Sequence, residues 1–265
     1  MVNETSPIGV FDSGVGGLSV LRWIRTLLPN EDLIYVADSL YVPYGEKTKT
    51  CIQQRALIIT EFLVNEGAKA VVVACNTATV AAIPLLREQY TLPIIGIEPG
   101  VKPALSQSKS GIVGVLATTN TINSESFQKL ISRYAAGRQV EIQACPGLVE
   151  CVEEAALASR STRELVQRYV MALLERGADT IVLGCTHYPF LLPLIQNLVG
   201  KDIEVIDTGE AVAREVKRRL EEVELRNTKT HCGEEVFWAS GTDTPLASQK
   251  IMTALWGNEL DVKVL

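Results

Sequence analysis

The chain has 265 residues, with 25 Lys and Arg against 31 Asp and Glu, and a net charge of −6. With 47% hydrophobic and 21% charged residues, its composition is that of a globular protein and not of a disordered one. The acidic balance argues against a nucleic-acid groove, because phosphate binding calls for a basic face. The start, MVNETSPIGV, lacks a basic-plus-apolar signal segment, and no apolar run approaches the roughly 18 residues of a membrane span. We therefore expect a cytoplasmic protein that binds neither nucleic acid nor membrane.

Short apolar runs alternate with helix-like segments along the chain. Runs at residues 8–11, 33–37, 70–74 and 92–97 predict strands. The continuous AVVV of the third run is typical of a strand that is buried on both faces. Because strands alternate with helices, the predicted fold class is α/β, with a parallel sheet covered by helices.

The same order of elements occurs twice. The segment GAKAVVVAC, which ends at Cys75, resembles GADTIVLGC, which ends at Cys185. The two segments are 110 residues apart at every position from the first glycine to the cysteine. A long helical segment precedes each copy, at 48–66 and 159–176, and a helix containing a proline follows each. The repeat predicts two similar parallel-sheet α/β domains related by a pseudo-two-fold axis, with the active site in the cleft between them.

The predicted domain boundaries follow from this repeat. The first domain takes residues 1–98 together with 208–265, and the second takes residues 99–207. The tail carries a charged helix, a polar loop, a strand and a final helix, predicted at 211–222, at 225–235, at 236–239 and from about Thr244. We expect this tail to pack back onto the first domain.

Two of the six cysteines stand apart from the others. No C-x-x-C pair occurs, so neither a zinc module nor a disulfide framework is indicated, and Cys51 and Cys151 fall in helical patterns that favour core packing. Cys75 and Cys185 each end a predicted buried strand and begin a predicted helix, at the sheet edge where α/β proteins bind ligands. A helix N-terminus favours a thiolate. Two thiols on opposite walls of a cleft could remove a proton from one face of a small molecule and deliver one to the other, as in a two-base racemase or epimerase.

Polar residues at other strand ends complete the predicted site. Asp12 begins the motif DSGVGG, whose glycine spacing departs from the nucleotide-binding pattern G-x-G-x-x-G. The Asp12 carboxylate would also repel a phosphate. Asp12 is therefore predicted to accept an amino group or to tune Cys75. The turn YVPYGE contains Gly45, which permits close approach of the backbone to a ligand. His187 can orient or protonate groups beside Cys185. Glu150 follows PGLV at a predicted helix start, where the helix dipole alone also accounts for an exposed acid.

Four motifs carry a resemblance to the bacterial glutamate racemases of the aspartate/glutamate racemase family. They are DSGVGG, VPYGEK, ACNTAT around Cys75 and LGCTHYPFL around Cys185, and they occur in order between Ile8 and about Thr208. The resemblance implies interconversion of L- and D-glutamate without pyridoxal phosphate or another cofactor, and without a metal. It also implies a supply of D-glutamate for peptidoglycan, and it leaves a homodimer open.

The resemblance also implies roles for individual residues. Cys75 resembles the base for D-glutamate and Cys185 the base for L-glutamate. Asp12 would assist on the Cys75 side, and His187 and Glu150 on the Cys185 side. The implied substrate-binding set comprises Asp12, Ser13, Tyr44, Gly45, Asn76, Thr77, Thr118, Thr121, Thr186 and His187.

Three other functions stay open. An aspartate or hydantoin racemase would share the two cysteines, although the DSGVGG and CTHYP motifs argue against both. A hydrolase with a cysteine nucleophile would need only one thiol and a base such as His187. A non-catalytic amino-acid-binding protein of two α/β lobes would need no reactive thiol. Exchange of the substrate Cα proton distinguishes the racemases from the other two.

Overall fold

Strands and helices alternate through the residues that the computed structural model describes, which are 2–135, 137–228, 230, 232–241 and 245–265. The strands are β1 Ile8–Asp12, β2 Leu33–Ala37, β3 Ala70–Val73, β4 Ile94–Gly96, β5 Ile112–Ala117, β6 Gln139–Ala144, β7 Thr180–Gly184, β8 Glu204–Ile206, β9 Glu235–Ala239 and β10 Val262–Val264. The α-helices are α1 Leu18–Leu27, α2 Lys49–Asn65, α3 Asn76–Gln89, α4 Val101–Gln107, α5 Thr119–Ile122, α6 Glu125–Tyr134, α7 Leu148–Glu153, α8 Arg160–Leu174, α9 Leu192–Val199, α10 Gly209–Glu222 and α11 Pro245–Trp256.

The described strands form two parallel sheets, which confirms the predicted α/β class with two parallel-sheet domains. Their orders are β10-β9-β2-β1-β3-β4 and β6-β5-β7-β8. In the first sheet β1 lies between β2 and β3, and in the second sheet β5 lies between β6 and β7. The strands β3 and β7 lead to Cys75 and Cys185. Every residue of β1, β2, β3 and β7 is buried, because helices cover both faces of these strands.

The tail returns to the first sheet. β9 pairs with β2, placing Phe237 beside Tyr35, and β10 pairs with β9 at the sheet edge. Helix α10 packs on α1. The start of the final helix at Thr244 lies outside the described residues, and the three-residue strand β10 was not predicted. The domain boundaries themselves stay a prediction.

The two copies of the repeat diverge directly after their cysteines. Cys75 caps α3, and its Sγ accepts a hydrogen bond from the Ala78 N–H at 3.4 Å. After Cys185 the chain instead forms a turn and a short 3-10 segment, Tyr188–Leu191, before α9 begins. The prediction that Cys185 begins a helix is therefore wrong. Pro193 has no N–H to bond the carbonyl of Pro189, and its ring would clash with that carbonyl in a continuous helix.

Within the described ranges, every helix is too short or too polar to cross a lipid bilayer.

Candidate active site

The carboxyl ends of β1, β3, β5 and β7 meet at a cavity between the two sheets. Cys75 from the first sheet and Cys185 from the second both line it, and their exposed fractions are 5% and 9%. Parallel strands point their carboxyl ends in one direction, so residues distant in sequence converge there. The other lining residues are Ser13, Pro43, Tyr44, Gly45, Asn76, Thr77, Thr118, Val149, Thr186 and His187. The cavity thus brings together most of the residues predicted from the sequence.

A carboxylate lies on the Cys75 side of the cavity. Asp12 is fully buried, and its two oxygens accept hydrogen bonds from the Gly14 N–H and the Thr186 hydroxyl, each at 2.9 Å. Burial raises the pKa of Asp12, against the lowering effects of His187 and of these hydrogen bonds. Burial, and next the Asp12 charge, raise the pKa of the Cys75 thiol to about 12. Cys75 is therefore a protonated thiol at neutral pH.

A histidine lies on the Cys185 side. His187 Nδ1 is 3.7 Å from Cys185 Sγ, and Nε2 is 2.6 Å from Glu153 Oε1. Burial by itself would lower the pKa of His187, but the hydrogen bonds with Cys185 and Glu153 outweigh burial and raise that pKa well above its ordinary value. These two contacts favour the protonated form of the imidazole, whose Nδ1 faces Cys185.

The carboxylate that bonds His187 is Glu153, which the sequence analysis did not single out. Glu150 lies one turn earlier on α7, is half-buried, and lines an outer pocket that adjoins the cavity. Residues three apart on a helix share a face. The sequence therefore indicated this face of α7 but could not distinguish the two acids. The assisting role of Glu150 stays a prediction.

The glycines of DSGVGG make room for the side chains of His187 and Glu153. A Cβ on Gly16 would lie 2.3 Å from His187 Nδ1, and one on Gly14 would lie 1.9 Å from Glu153 Oε1. Both distances are far shorter than any non-bonded contact. These glycines let the histidine and its carboxylate approach the loop after β1, which explains a spacing unlike that of a nucleotide-binding loop.

Uncharged polar side chains lie in and beside the cavity. Thr77 Oγ1 lies 2.9 Å from Thr118 Oγ1 and 3.2 Å from Thr121 Oγ1, across the two domains. Asn76 is buried, and neither polar atom of its side chain has a hydrogen-bond partner among the described residues. Because buried polar groups are nearly always bonded, Asn76 indicates a place where a ligand supplies the missing partner.

Two further residues hold the turn that carries Tyr44 and Gly45. The Tyr44 hydroxyl donates to Asp38 Oδ2 at 2.5 Å. Arg55 on α2 donates from Nε and Nη2 to the two Asp38 oxygens at 2.9 and 2.8 Å, and its guanidinium lies over the Tyr41 ring. Bidentate pairs of this kind are rigid. Sequence reasoning missed Asp38 and Arg55, because neither stands in a motif with an evident chemical role.

Comparison with known proteins agrees with this geometry. A family model described as Asp/Glu/Hydantoin racemase matches residues 8–216. The chain belongs to this family. Its members are racemases, which are isomerases.

Glutamate racemases are among the similar proteins. The glutamate racemase of Methylococcus capsulatus is 56% identical over 91% of this chain and 89% of its own length. A crystal structure of a glutamate racemase isoform from Bacillus anthracis superposes with a TM-score of 0.90, at 32% identity, over 99% of this chain and 98% of that one. A glutamate racemase from Francisella tularensis, solved in complex with D-glutamate, has a TM-score of 0.84 at 30% identity over the same shares.

The other cysteines of this racemase lie outside the cavity. Cys51 is half-buried on α2, Cys151 is buried on α7, and Cys232 is exposed. Cys145 is buried beside the outer pocket, and burial raises the pKa of its thiol. Cys75 and Cys185 are the cysteines whose positions fit acid–base chemistry.

Proposed function

We propose that this racemase interconverts L- and D-glutamate by a two-base mechanism in which Cys75 and Cys185 exchange protons with opposite faces of Cα. The observation that carries the proposal is the placement of these two thiols, which end corresponding strands of two similar sheets and line one cavity. The choice of glutamate is supported by the names of the similar enzymes and by the D-glutamate complex of the Francisella tularensis protein.

The two sides of the cavity differ in the groups that lie beside the thiols. The raised pKa of Cys75 leaves a thiol that is ready to deliver a proton. On the other side, His187 Nδ1 faces Cys185 Sγ at 3.7 Å, where a protonated imidazole can donate to the sulfur. With L-glutamate, Cys185 removes the Cα proton and Cys75 delivers its proton to the opposite face. With D-glutamate the same steps run in reverse, from the form in which Cys75 has lost its proton and Cys185 carries one, so that Cys75 is the base and Cys185 the acid.

The substrate's own charges have matching groups at the cavity. Most of these groups line it, while Asp12 is buried next to the lining residue Ser13. Asp12 is a buried carboxylate that can accept hydrogen bonds from the substrate ammonium group. The N-terminal N–H groups of α3, the side chain of Asn76 and the hydroxyls of Thr77 and Thr118 can donate to carboxylates. These assignments explain why Asn76 has buried polar atoms without a partner among the described residues.

Removal of the Cα proton is the difficult step, because that proton is far less acidic than a thiol. Donors fixed around the α-carboxylate stabilise the negative charge that develops as the proton leaves. Their effect is largest where water is excluded, and both thiols are at most 9% exposed here. We infer that the closed cavity is the form in which proton transfer takes place.

Reaction in heavy water tests the proposal. The purified protein is incubated with L- or D-glutamate in deuterium oxide, and optical rotation and Cα deuteration are followed at early times. A two-base reaction places deuterium in the product enantiomer, while the remaining substrate keeps its proton. Absence of exchange with both enantiomers would refute the racemase proposal. Release of ammonia without inversion would indicate a hydrolase, and turnover of aspartate or a hydantoin in preference to glutamate would reassign the substrate.

The cellular role that we propose is the supply of D-glutamate for peptidoglycan. Expression of the chain should remove the D-glutamate requirement of a bacterial strain that lacks its own racemase. The matched control is a chain with Cys75→Ala, which should leave the requirement in place. Growth of both strains without D-glutamate would contradict this role.

A further inference from the structure

Asn120 reaches from the second domain to the loop at residues 43–47 of the first. Its Nδ2 donates two hydrogen bonds, to the carbonyl oxygen of Tyr44 at 2.9 Å and to that of Lys47 at 2.8 Å. A primary amide nitrogen carries two protons, so these two bonds use its full donor capacity. Asn120 belongs to neither the sequence motifs nor the lining of the cavity.

The rest of the 43–47 loop is tied to its own domain. The Tyr44 hydroxyl bonds Asp38, and Arg55 holds Asp38 in turn. Facing the loop, α5 carries Asn120 between Thr118 at its N-cap and Thr121, both of which contact Thr77. The loop is therefore bound firmly on one side and through the Asn120 amide on the other. Any movement that separates the loop from α5 must break both Asn120 bonds.

The 43–47 loop and α5 flank the route into the cavity. The outer pocket lies between Pro43, Gly45 and Glu46 on one side and Thr118, Thr119 and the start of α7 on the other. It shares Pro43, Gly45, Thr118 and Val149 with the cavity that holds the cysteines. Because the thiols are almost wholly buried, a substrate can enter only if these walls part.

We propose that the Asn120 side chain is an interdomain latch, a positioning residue that holds the 43–47 loop closed over the substrate. The inference rests on the proposed racemase function for its kinetic consequence, but the latch itself is a property of the free protein. Loss of two neutral hydrogen bonds should reduce the closed-to-open ratio of the loop by about tenfold. Since affinity scales with the fraction of competent protein, KM should rise by at most the same factor.

Hydrogen exchange and kinetics on three variants test the latch. Asn120→Ala removes both donors, and Asn120→Asp keeps the size of the side chain while setting a carboxylate against two carbonyls. Asn123→Asp adds the same charge three residues further on, where the side chain is exposed, and is the matched control. Circular dichroism and thermal unfolding establish that each variant is folded.

Without substrate, the amides of Glu46 and Lys47, which bond within the loop, should exchange about tenfold faster in Asn120→Ala. Asn120→Asp should exchange at least as fast, and Asn123→Asp should match the unmodified protein. The KM for both glutamate enantiomers should rise in Asn120→Ala, by at most about tenfold, with kcat changed less than twofold.

Unchanged exchange in the loop would overturn the latch whatever the kinetics show. Faster exchange spread over the whole chain would also overturn it, because it would indicate a general structural role. If the unmodified protein does not racemise glutamate, the proposed function fails. The exchange measurement still decides the latch in that case.

Discussion

The imidazole of His187 and the carboxylate of Glu153 meet through Nε2 and Oε1 at 2.6 Å. The same Glu153 oxygen accepts a hydrogen bond from the Val15 N–H of the other domain at 2.8 Å. A single carboxylate oxygen therefore joins the histidine beside Cys185 to the loop that follows β1. This contact joins a titratable pair of the second domain to the backbone of the first.

Replacement of Glu153 by Gln should move the pH profile. The carboxylate helps to raise the pKa of His187, so the amide should allow His187 to lose its proton at lower pH. We expect the alkaline limb of kcat to shift to lower pH, and kcat at neutral pH to fall about 10- to 100-fold. Glu154→Gln changes the next, exposed residue and should alter neither quantity. If Glu150→Gln shifts the limb while Glu153→Gln does not, the assignment of the assisting carboxylate is wrong.

Replacement of either cavity cysteine by Ala should abolish racemisation in both directions. In the proposed mechanism each turnover needs one group to take a proton and another to give one, and each thiol performs one of these steps in each direction. Polarimetry with L- and with D-glutamate measures the loss. Cys51→Ala alters a half-buried cysteine on α2 and should retain normal activity. Near-normal racemisation by Cys75→Ala or Cys185→Ala would contradict the two-base mechanism.

Gly16→Ala should inactivate the protein by displacing His187. The added methyl would lie 2.3 Å from Nδ1, so the ring must leave its position between Cys185 and Glu153. We expect kcat to fall by about 100-fold or more, since acid–base assistance typically contributes that much. A double-mutant cycle with His187→Ala checks the cause. If the two losses multiply in the double variant, the methyl acts elsewhere.

Lys69→Met should destabilise the fold without changing the chemistry. Lys69 and Glu31 form a fully buried ion pair, and Lys69 Nζ also donates to the Glu4 carbonyl at 2.5 Å. These residues precede β3 and β2, at the opposite end of the sheet from the cavity. Removal of one partner leaves an uncompensated buried charge and should cost about 3–5 kcal/mol of unfolding free energy, measured by urea denaturation.

The exposed pair Lys129–Glu125 provides the control for that measurement. Lys129→Met should leave the denaturation midpoint unchanged, because exposed ion pairs contribute little. Equal midpoints for the Lys69 and Lys129 variants would show that the buried ion pair contributes no more to the free energy of unfolding than the exposed pair. A lower kcat in folded Lys69→Met would contradict its separation from the site.

Asp179 should make stability depend on pH in the acid range. Partial burial would raise its pKa, but hydrogen bonds from Ser108, Lys109 and Ser110 outweigh burial and lower that pKa to about 2. An unfolded Asp has a pKa of about 3.9. The stabilisation is therefore present above about pH 4 and is lost as the pH falls towards 2. In Asp179→Asn the midpoint of thermal unfolding should fall less steeply with pH over this range. Asp202→Asn, at an exposed position, should leave that decline unchanged.

Local patterns in the chain suffice for the sheet and for most of the cavity. AVVV predicts β3 because a continuous β-branched run suits a strand buried on both faces. The repeat that ends in Cys75 and Cys185 predicts that both cysteines lie at strand ends, and parallel strands necessarily bring such ends to one edge. Motif residues such as Ser13 and Thr186 line the cavity for the same reason.

Sequence by itself thus determined the α/β class, the two thiols and the residues that directly follow the strands, since each depends on neighbours in the chain. Tertiary structure decided which acid bonds His187, because His187 and Glu153 are 34 residues apart and meet only through the packing of α7 beside the turn after Cys185. It also decided that Asn120 bridges the domains, and that Cys75 rather than Cys185 caps a helix. Such contacts depend on how separate elements pack, and no periodicity or spacing along the chain encodes their distances.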